Sequence, residues 1–522
     1  MLLITCIFIF LITIPTAAIK RHYTWEVTYE YKSLDCYKKL AVAINGMTLG
    51  PTISAVQGDT IAVDRGTPWS DGADGVTQCA IMSGEKYTYT FEVDRAGTYM
   101  YHSHYGMQRE GGLYGMINAS VPGVTDPFNY DADHGIILRD WYHHSACDQS
   151  TALSSIPFQW VGEPQSLLIN GKGNYNCSGL TPGICNSTNP QCSPSTLTDH
   201  EMTIIEADRQ YVEPFVSKNL FIYLGETYSV LVTANQDPSK NYWTTINVVS
   251  HKPKTPNGLA IFNYLPNHFL QPPPTNPPIG PIWNDTNSQL NQSLTIKARK
   301  GFIITPPRKP DRIIVLLNTQ NTINGYLRRS LNNVSHTLPT TPYLIALKQN
   351  MSDVFDPSPP PEDYDSTNFD IYTVANNTNA ISSTSIYKLQ FNSTVDIILQ
   401  NANSMIRNVS ETHPWHLHGH HFWVLGYREG KFNLLRDVEK YNLVDPIMKN
   451  TVALHPYGWV ALRFQADNLG VWLFHCRIEA HFFLGMLVVF ESNAEKVGDI
   501  PNINYGCGKN QSHGPAIVFI NL

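Results

Sequence analysis

Residues 473–486 read L-F-H-C-R-I-E-A-H-F-F-L-G-M, which sets Cys476, His481 and Met486 at five-residue intervals. They offer a thiolate, an imidazole and a thioether, and a further imidazole, His413, stands upstream in H-P-W-H-L-H. Two His and one Cys with a weak axial Met form the donor set of a blue-copper electron-transfer centre, in which soft sulfur selects copper and the long axial bond tunes its potential. Arg477 is the discordant residue. It stands where the surrounding pattern asks for a second His.

Successive side chains of a strand point to opposite faces. Applied to His475-Cys476-Arg477, this rule turns Cys476 to one side, where His413, His481 and Met486 can complete a mononuclear site. His475 and position 477 face the other way. His416 and His418 share a face, and so do His102 and His104. Packed as a pseudo-symmetric pair of domains, these i, i+2 pairs converge beside the sulfur site, with Cys476 wired to them through the adjacent His475. Any one His pair is more often a satisfied core or surface histidine. The set Cys476, His481, Met486 and His413 beside H-C reads as ligands.

The elements that must position these residues are short strands. Residues 86–93 (K-Y-T-Y-T-F-E-V) and 459–464 alternate in polarity as half-buried sheet does. Gly-Thr-Tyr at 97–99 precedes M-Y-H-S-H, and L-G-V-W at 469–472 precedes L-F-H-C. Both are a Gly turn, an aromatic-rich strand and then metal-type residues, and together they suggest an internal repeat of β-sandwich units. With no sustained helical periodicity, the chain reads as all-β. Its 522 residues exceed what one core supports. Proline-rich stretches at 271–281 and 357–361 read as linkers or long surface loops.

A net charge of −7 gives no electrostatic case for nucleic acid. Residues 1–18 form an apolar run ending in small residues and broken by Pro15, the pattern of a cleaved secretory leader. No later segment is long and apolar enough to span a bilayer. N-x-S/T acceptors recur at Asn118, Asn176, Asn186, Asn284, Asn291, Asn333, Asn350, Asn376, Asn392, Asn408 and Asn510. Leader and acceptors together predict a secreted glycoprotein of the extracellular space or cell wall. With Cys6 in the leader and Cys476 given to copper, Cys36, Cys79, Cys147, Cys177, Cys185, Cys192 and Cys507 form an odd set, so one is expected unpaired.

H-P-W-H-L-H-G-H at 413–420 and H-C-x-I-E-x-H-x-x-x-x-M at 475–486 resemble the C-terminal copper motifs of multicopper oxidases, and within that family the plant ascorbate oxidases. The likeness continues through R-G-T-P-W-S-D-G (65–72), Y-H-S-H-Y-G-M-Q-R (101–109), W-V-G-E-P-Q (160–165), L-L-N-T-Q-N-T-I-N-G-Y (316–326) and E-T-H-P-W-H-L-H-G-H-H-F-W-V-L-G (411–426). The resemblance implies three cupredoxin-like Greek-key sandwiches, expected at 19–122, 123–335 and 336–522. It implies copper as cofactor, four ions per subunit, and oxidation of ascorbate coupled to four-electron reduction of dioxygen to water. Type 1 ligands would be His413, Cys476, His481 and Met486. His416 would serve the type 2 ion, and His102, His104, His418 and His475 the type 3 pair. Cys476, His475 and His481 would carry the electrons, with His481 nearest solvent. Trp160 matches a substrate-stacking position, against the alternative of a buried structural Trp, and Glu479 is either an outer partner of the site or solvent-facing. Disulfides would join Cys36 to Cys192, Cys79 to Cys507 and Cys177 to Cys185, leaving Cys147. The partners implied are ascorbate and dioxygen, with no nucleic acid and no membrane after leader cleavage; a homodimer is left open.

Three departures from the family stand out. An H-W-H-G motif is missing after the strand at 59–63, since no His lies between His22 and His102. A strand-rich segment is missing between Pro194 and His200. Arg477 replaces a type 3 His, and arginine has no lone pair for a metal and stays protonated at working pH. Five of the family's eight cluster imidazoles remain. The clean edges of both gaps suggest skipped exons or an incomplete gene model, which would leave the first and second domains shortened. The expected function is therefore an ascorbate-type oxidase weakened or silenced in this chain. The alternatives are a non-catalytic cupredoxin-like cell-wall glycoprotein keeping the type 1 copper and a laccase-type phenol oxidase.

Overall fold

A computed structural model describes residues 21–57, 59, 67–90, 93, 95–121, 127–181, 183–186, 200–249, 254–268, 271–374, 379–505 and 517–521. The apolar run 1–18 expected as a leader, Cys192, Cys507, Asn376 and Asn510 lie outside these residues. The chain is mostly strand with a few short helices, as its alternating segments predict. Among the described residues no helix is long and apolar enough to cross a membrane.

The C-terminal sandwich is the most completely built unit. Its eight-stranded sheet runs Ile381–Ser383, Val334–His336, Tyr326–Leu331, Arg312–Ile323, Thr394–Gln400, Gly458–Gln465, Phe422–Glu429 and Met448–Lys449. The facing five-stranded sheet runs Tyr387–Leu389, Leu487–Ser492, Gly470–Cys476, His413–Leu417 and Thr451–Leu454. Ile397, Leu399, Leu462 and Phe464 from the first sheet meet Trp415, Phe474 and Phe490 from the second in one buried core. Burying several such side chains, at about 1.5–3 kcal/mol each, is what holds the two sheets face to face.

The N-terminal unit pairs a four-stranded sheet (Lys39–Ile44, His22–Lys32, Ile517–Asn521, Thr88–Tyr89) with a three-stranded one (Ile53–Val56, Tyr114–Ser120, Gly97–His102). The middle unit is built of smaller sheets, among them Gln210–Ser217, Met202–Ala207 and Tyr228–Val232. Two strand pairings cross the expected domain limits. The strands from Arg312 to His336 pair within the third sheet, so the division at 335/336 cuts one sheet rather than separating two domains. The last strand, expected in the third domain, pairs with His22–Lys32 of the first. Strand pairing is non-local, and hydrophobic alternation does not say which sheet a strand joins.

Cys177 and Cys185 are bonded, and Cys147 is an exposed free thiol. Cys36 and Cys79 are each disulfide-bonded, to partners outside the described residues.

Two buried histidines away from the copper motifs make stability pH-dependent. Burial lowers His336 from 6.5 to about 3 and His455 from 6.5 to about 4. The unfolded chain takes up these protons near 6.5 while the folded chain refuses them. Stability is therefore full above pH 6.5 and falls as pH drops toward 4, by about 1.4 kcal/mol per pH unit for each such group. Denaturant titrations of copper-free protein between pH 6.5 and 4.5 are expected to show this slope, made shallower by one proton in His336→Gln. An unchanged slope in the variant would remove His336 from the effect.

Candidate metal centre

Register explains how the ligands meet. His413–Leu417 runs antiparallel to Gly470–Cys476, with Trp415 opposite Cys476, His416 opposite His475 and Leu417 opposite Phe474. Opposed residues share a face, so Trp415, Leu417, Phe474 and Cys476 all enter the sandwich core. His416 and His475 emerge on the other side. The turn after Cys476 opens a short helix, Glu479–Phe483, which returns His481 to the sulfur.

His413, Cys476 and His481 are all buried, and one donor atom from each lies within 4.8 Å of the others. Met486 is fully buried in the same core. The donor set fits a copper ion on three counts. His413 Nδ1 is a buried nitrogen with no hydrogen-bond partner. Burial, and next the guanidinium of Arg329, hold His413 well below the imidazole range, hence neutral and ligand-ready. Burial also pushes the Cys476 thiol up to about 12, so only a bound cation would make the thiolate favourable there.

Of the four donors His481 is the least buried, yet it does not reach solvent. It is only 2% exposed, and its outer edge is covered: Arg329 Nη2 lies 2.9 Å and Glu411 Oε2 3.7 Å from Nε2. Its inner Nδ1 lies 3.7 Å from Cys476 Sγ. With Nδ1 as a ligand the ring proton would sit on Nε2, where the Glu411 carboxylate, and not the Arg329 guanidinium, could accept it. The group open to solvent is Trp160, 47% exposed with its ring 6.3 Å from that of His481. That exposure disfavours the reading of Trp160 as a buried structural residue.

On the opposite face His104, His418 and His475 come together, one ring nitrogen from each within 4.8 Å of the others. The His102 ring lies 4.7 Å from that of His104, and the His416 ring 4.9 Å from that of His418. His418 Nδ1 meets both oxygens of Asp71 at 2.8 and 3.0 Å, and His416 Nδ1 meets the Asn450 carbonyl at 2.7 Å. Such partners fix tautomer and ring orientation. Asp71 stands in the R-G-T-P-W-S-D-G motif, but nothing local in the sequence marks it, or Arg109, Arg329, Glu411 and Asn450, as a partner of the site.

Arg477 occupies this same space. Its Nη1 donates to His102 Nε2, and its backbone carbonyl accepts from the Arg109 guanidinium. Arg109 also pairs with Glu479, which is buried rather than solvent-facing. Burial, then the neighbouring Arg109, pull the Arg477 guanidinium down to about 9, still a cation at neutral pH. Five imidazoles with a fixed cation among them do not fit a three-copper cluster.

Residues 26–122, 132–267 and 353–496 each match the multicopper oxidase family. The chain is 44% identical to an L-ascorbate oxidase of Cucumis sativus, covering 97% of this chain and 95% of that one. That alignment runs over 560 positions, more than the 522 residues here, so the relative carries internal segments that this chain lacks. Laccase-12 of Arabidopsis thaliana is 31% identical over 87% of this chain and 89% of its own. In fold, the chain is similar to a laccase from Botrytis aclada, with a TM-score of 0.70, 24% identity, and coverage of 92% and 89%. Three family matches in series and a relative aligned along nearly the full length establish that this chain belongs to the multicopper oxidases, oxidoreductases whose cofactor is copper.

Proposed function

We propose that this chain is an extracellular copper protein of the ascorbate-oxidase type that takes single electrons from ascorbate at a type 1 site, while its capacity to reduce dioxygen is impaired. The observation that carries the proposal is the convergence of the Cys476 sulfur with the His413 and His481 rings in a buried pocket, with Met486 beside them. Identity favours ascorbate over phenols as the electron donor, at 44% to an ascorbate oxidase against 31% to a laccase. The apolar leader and the many N-x-S/T acceptors support secretion.

Copper held by these four residues supplies one-electron redox chemistry. The chain's own residues bind and orient the donor. Trp160 offers an exposed aromatic face to a flat enediol ring. Arg329 sets a cation beside His481, complementary to the ascorbate anion, and is itself steered by Glu411 at 2.5 Å. The sandwich core around Cys476 excludes water from the sulfur. Among the described residues the other face gathers only His104, His418 and His475 as a metal-type group, a point that also favours the second reading, a cupredoxin-like glycoprotein without oxidase activity.

Purified full-length protein loaded with Cu(II) is expected to be blue and to be bleached by ascorbate under argon. In air with ascorbate, its oxygen uptake should fall below that of the cucumber relative by more than the roughly 10–100-fold that losing one outer partner of a metal site costs. Uptake at the relative's rate would overturn the impaired-cluster half of the proposal. A blue protein bleached by a phenol but not by ascorbate would overturn the donor.

A further inference from the structure

We infer that the histidine cradle between the first and third domains holds a single borderline divalent ion, copper or zinc, on His104, His418 and His475, with Arg477 filling the rest of the space. This rests on the multicopper oxidase reading only in supposing that the cradle binds metal at all.

The hydrogen bonds around the cradle decide which nitrogens are free. His475 Nδ1 lies 2.9 Å from the Cys476 carbonyl. A carbonyl only accepts, so Nδ1 carries the proton and Nε2 the lone pair. His418 Nδ1 faces the two Asp71 oxygens and is protonated for the same reason, leaving its Nε2 as the donor. These two Nε2 atoms stand 3.1 Å apart. Two bare lone pairs repel at that distance, so either a proton on one ring or a metal ion shared by both must lie between them, and only the metal ion also engages His104. At a metal–nitrogen distance of about 2.0 Å, a 3.1 Å separation corresponds to an angle near 100° at the ion, close to tetrahedral. His104 supplies the third nitrogen, its ring 4.7 Å from that of His418 and 5.3 Å from that of His475. Three imidazole nitrogens suit zinc or copper.

The other two imidazoles are not equivalent to these. His102 Nδ1 faces the Ser103 carbonyl at 3.0 Å, so its Nε2 is the lone-pair atom, and that atom is spent on the Arg477 guanidinium. His416 points its Nδ1 to Asn450, and its ring lies 5.9 Å from His475, outside the converging set. Arg477 cannot easily swing away. A Cβ on Gly225 would come within 2.6 Å of its Nε, so the middle domain closes over it, and the Arg109 guanidinium grips its backbone carbonyl. The fixed cation opposes further metal ions nearby, while the single carboxylate of Asp71 behind His418 compensates one.

The test is metal content with a spectroscopic readout. Full-length protein is equilibrated with Cu(II), desalted, and assayed for copper per chain and by electron paramagnetic resonance. Two coppers per chain are expected, one blue and one non-blue, both fully resonant. Cys476→Ser should lose the blue ion alone, and His418→Asn or Asp71→Asn the non-blue ion alone, with the blue band reporting that the fold survives. Four coppers with a resonance-silent pair would overturn the inference, as would one blue copper and nothing else. A non-blue ion that depends on His418, in protein with no blue copper, would support the inference while overturning the type 1 reading.

Discussion

Cys476→Ser is expected to give a folded, colourless protein after exposure to Cu(II), against a blue wild type. The colour of such a site arises from charge transfer between thiolate sulfur and Cu(II), and neither His413, His481 nor Met486 can supply it. Serine is nearly isosteric, but its hydroxyl is a hard donor that does not ionise at working pH. Position 476 is fully buried against Trp415 and Phe474, so an unsatisfied hydroxyl there costs about 1–3 kcal/mol. A domain stable by roughly 5–15 kcal/mol tolerates that loss. Near-ultraviolet circular dichroism of the tryptophan-rich core should therefore match wild type while the visible band is gone. A band that persists in the folded variant would remove Cys476 from the site.

How much of this was legible beforehand follows from the period of a strand. The division of ligands into two faces was readable from H-P-W-H-L-H and H-C-R because side chains alternate strictly, and the pairing of Trp415 with Cys476 and His416 with His475 obeys it. The β architecture followed from the same alternation. Partners brought in from far along the chain were not readable. Asp71 reaches His418 across 347 positions, and Arg477 reaches His102 across 375. Nothing local marks either contact. Sheet membership is hidden for a related reason, since the strand Arg312–Ile323 joins its sheet by a parallel pairing with Thr394–Gln400. The rank of His481 as the least buried of the four donors agrees with its place in the motif, but the side chains that cover it, Arg329 and Glu411, come from elsewhere in the chain.

Lys449→Met is expected to lower stability by roughly 3–5 kcal/mol, the cost of breaking a buried charge cluster from one side. Lys449 is 2% exposed at the edge of the third sandwich, its ammonium 2.7 Å from Glu226 and 4.0 Å from Asp208, both middle-domain residues with buried side chains. Removing the cation strands two carboxylates in the seam between the domains. Asp208 has a second duty there. Its Oδ2 accepts from the backbone N–H of Thr451 at 3.1 Å and of Asn450 at 3.3 Å, and the Asn450 carbonyl in turn orients His416. Loosening the seam therefore disturbs the His416 side of the sheet and leaves the Cys476 side packed in its own core. Thermal and denaturant unfolding of Lys449→Met should show the loss, with the blue band intact in the molecules that remain folded. Adding Glu226→Gln keeps an oxygen acceptor for the Tyr223 N–H, now 3.1 Å from Glu226, and removes one stranded charge. The double variant should therefore recover a large part of the stability, because neutralising both partners costs far less than orphaning one. A double variant no more stable than Lys449→Met would show that packing of the lysine stem, rather than its charge, holds the seam.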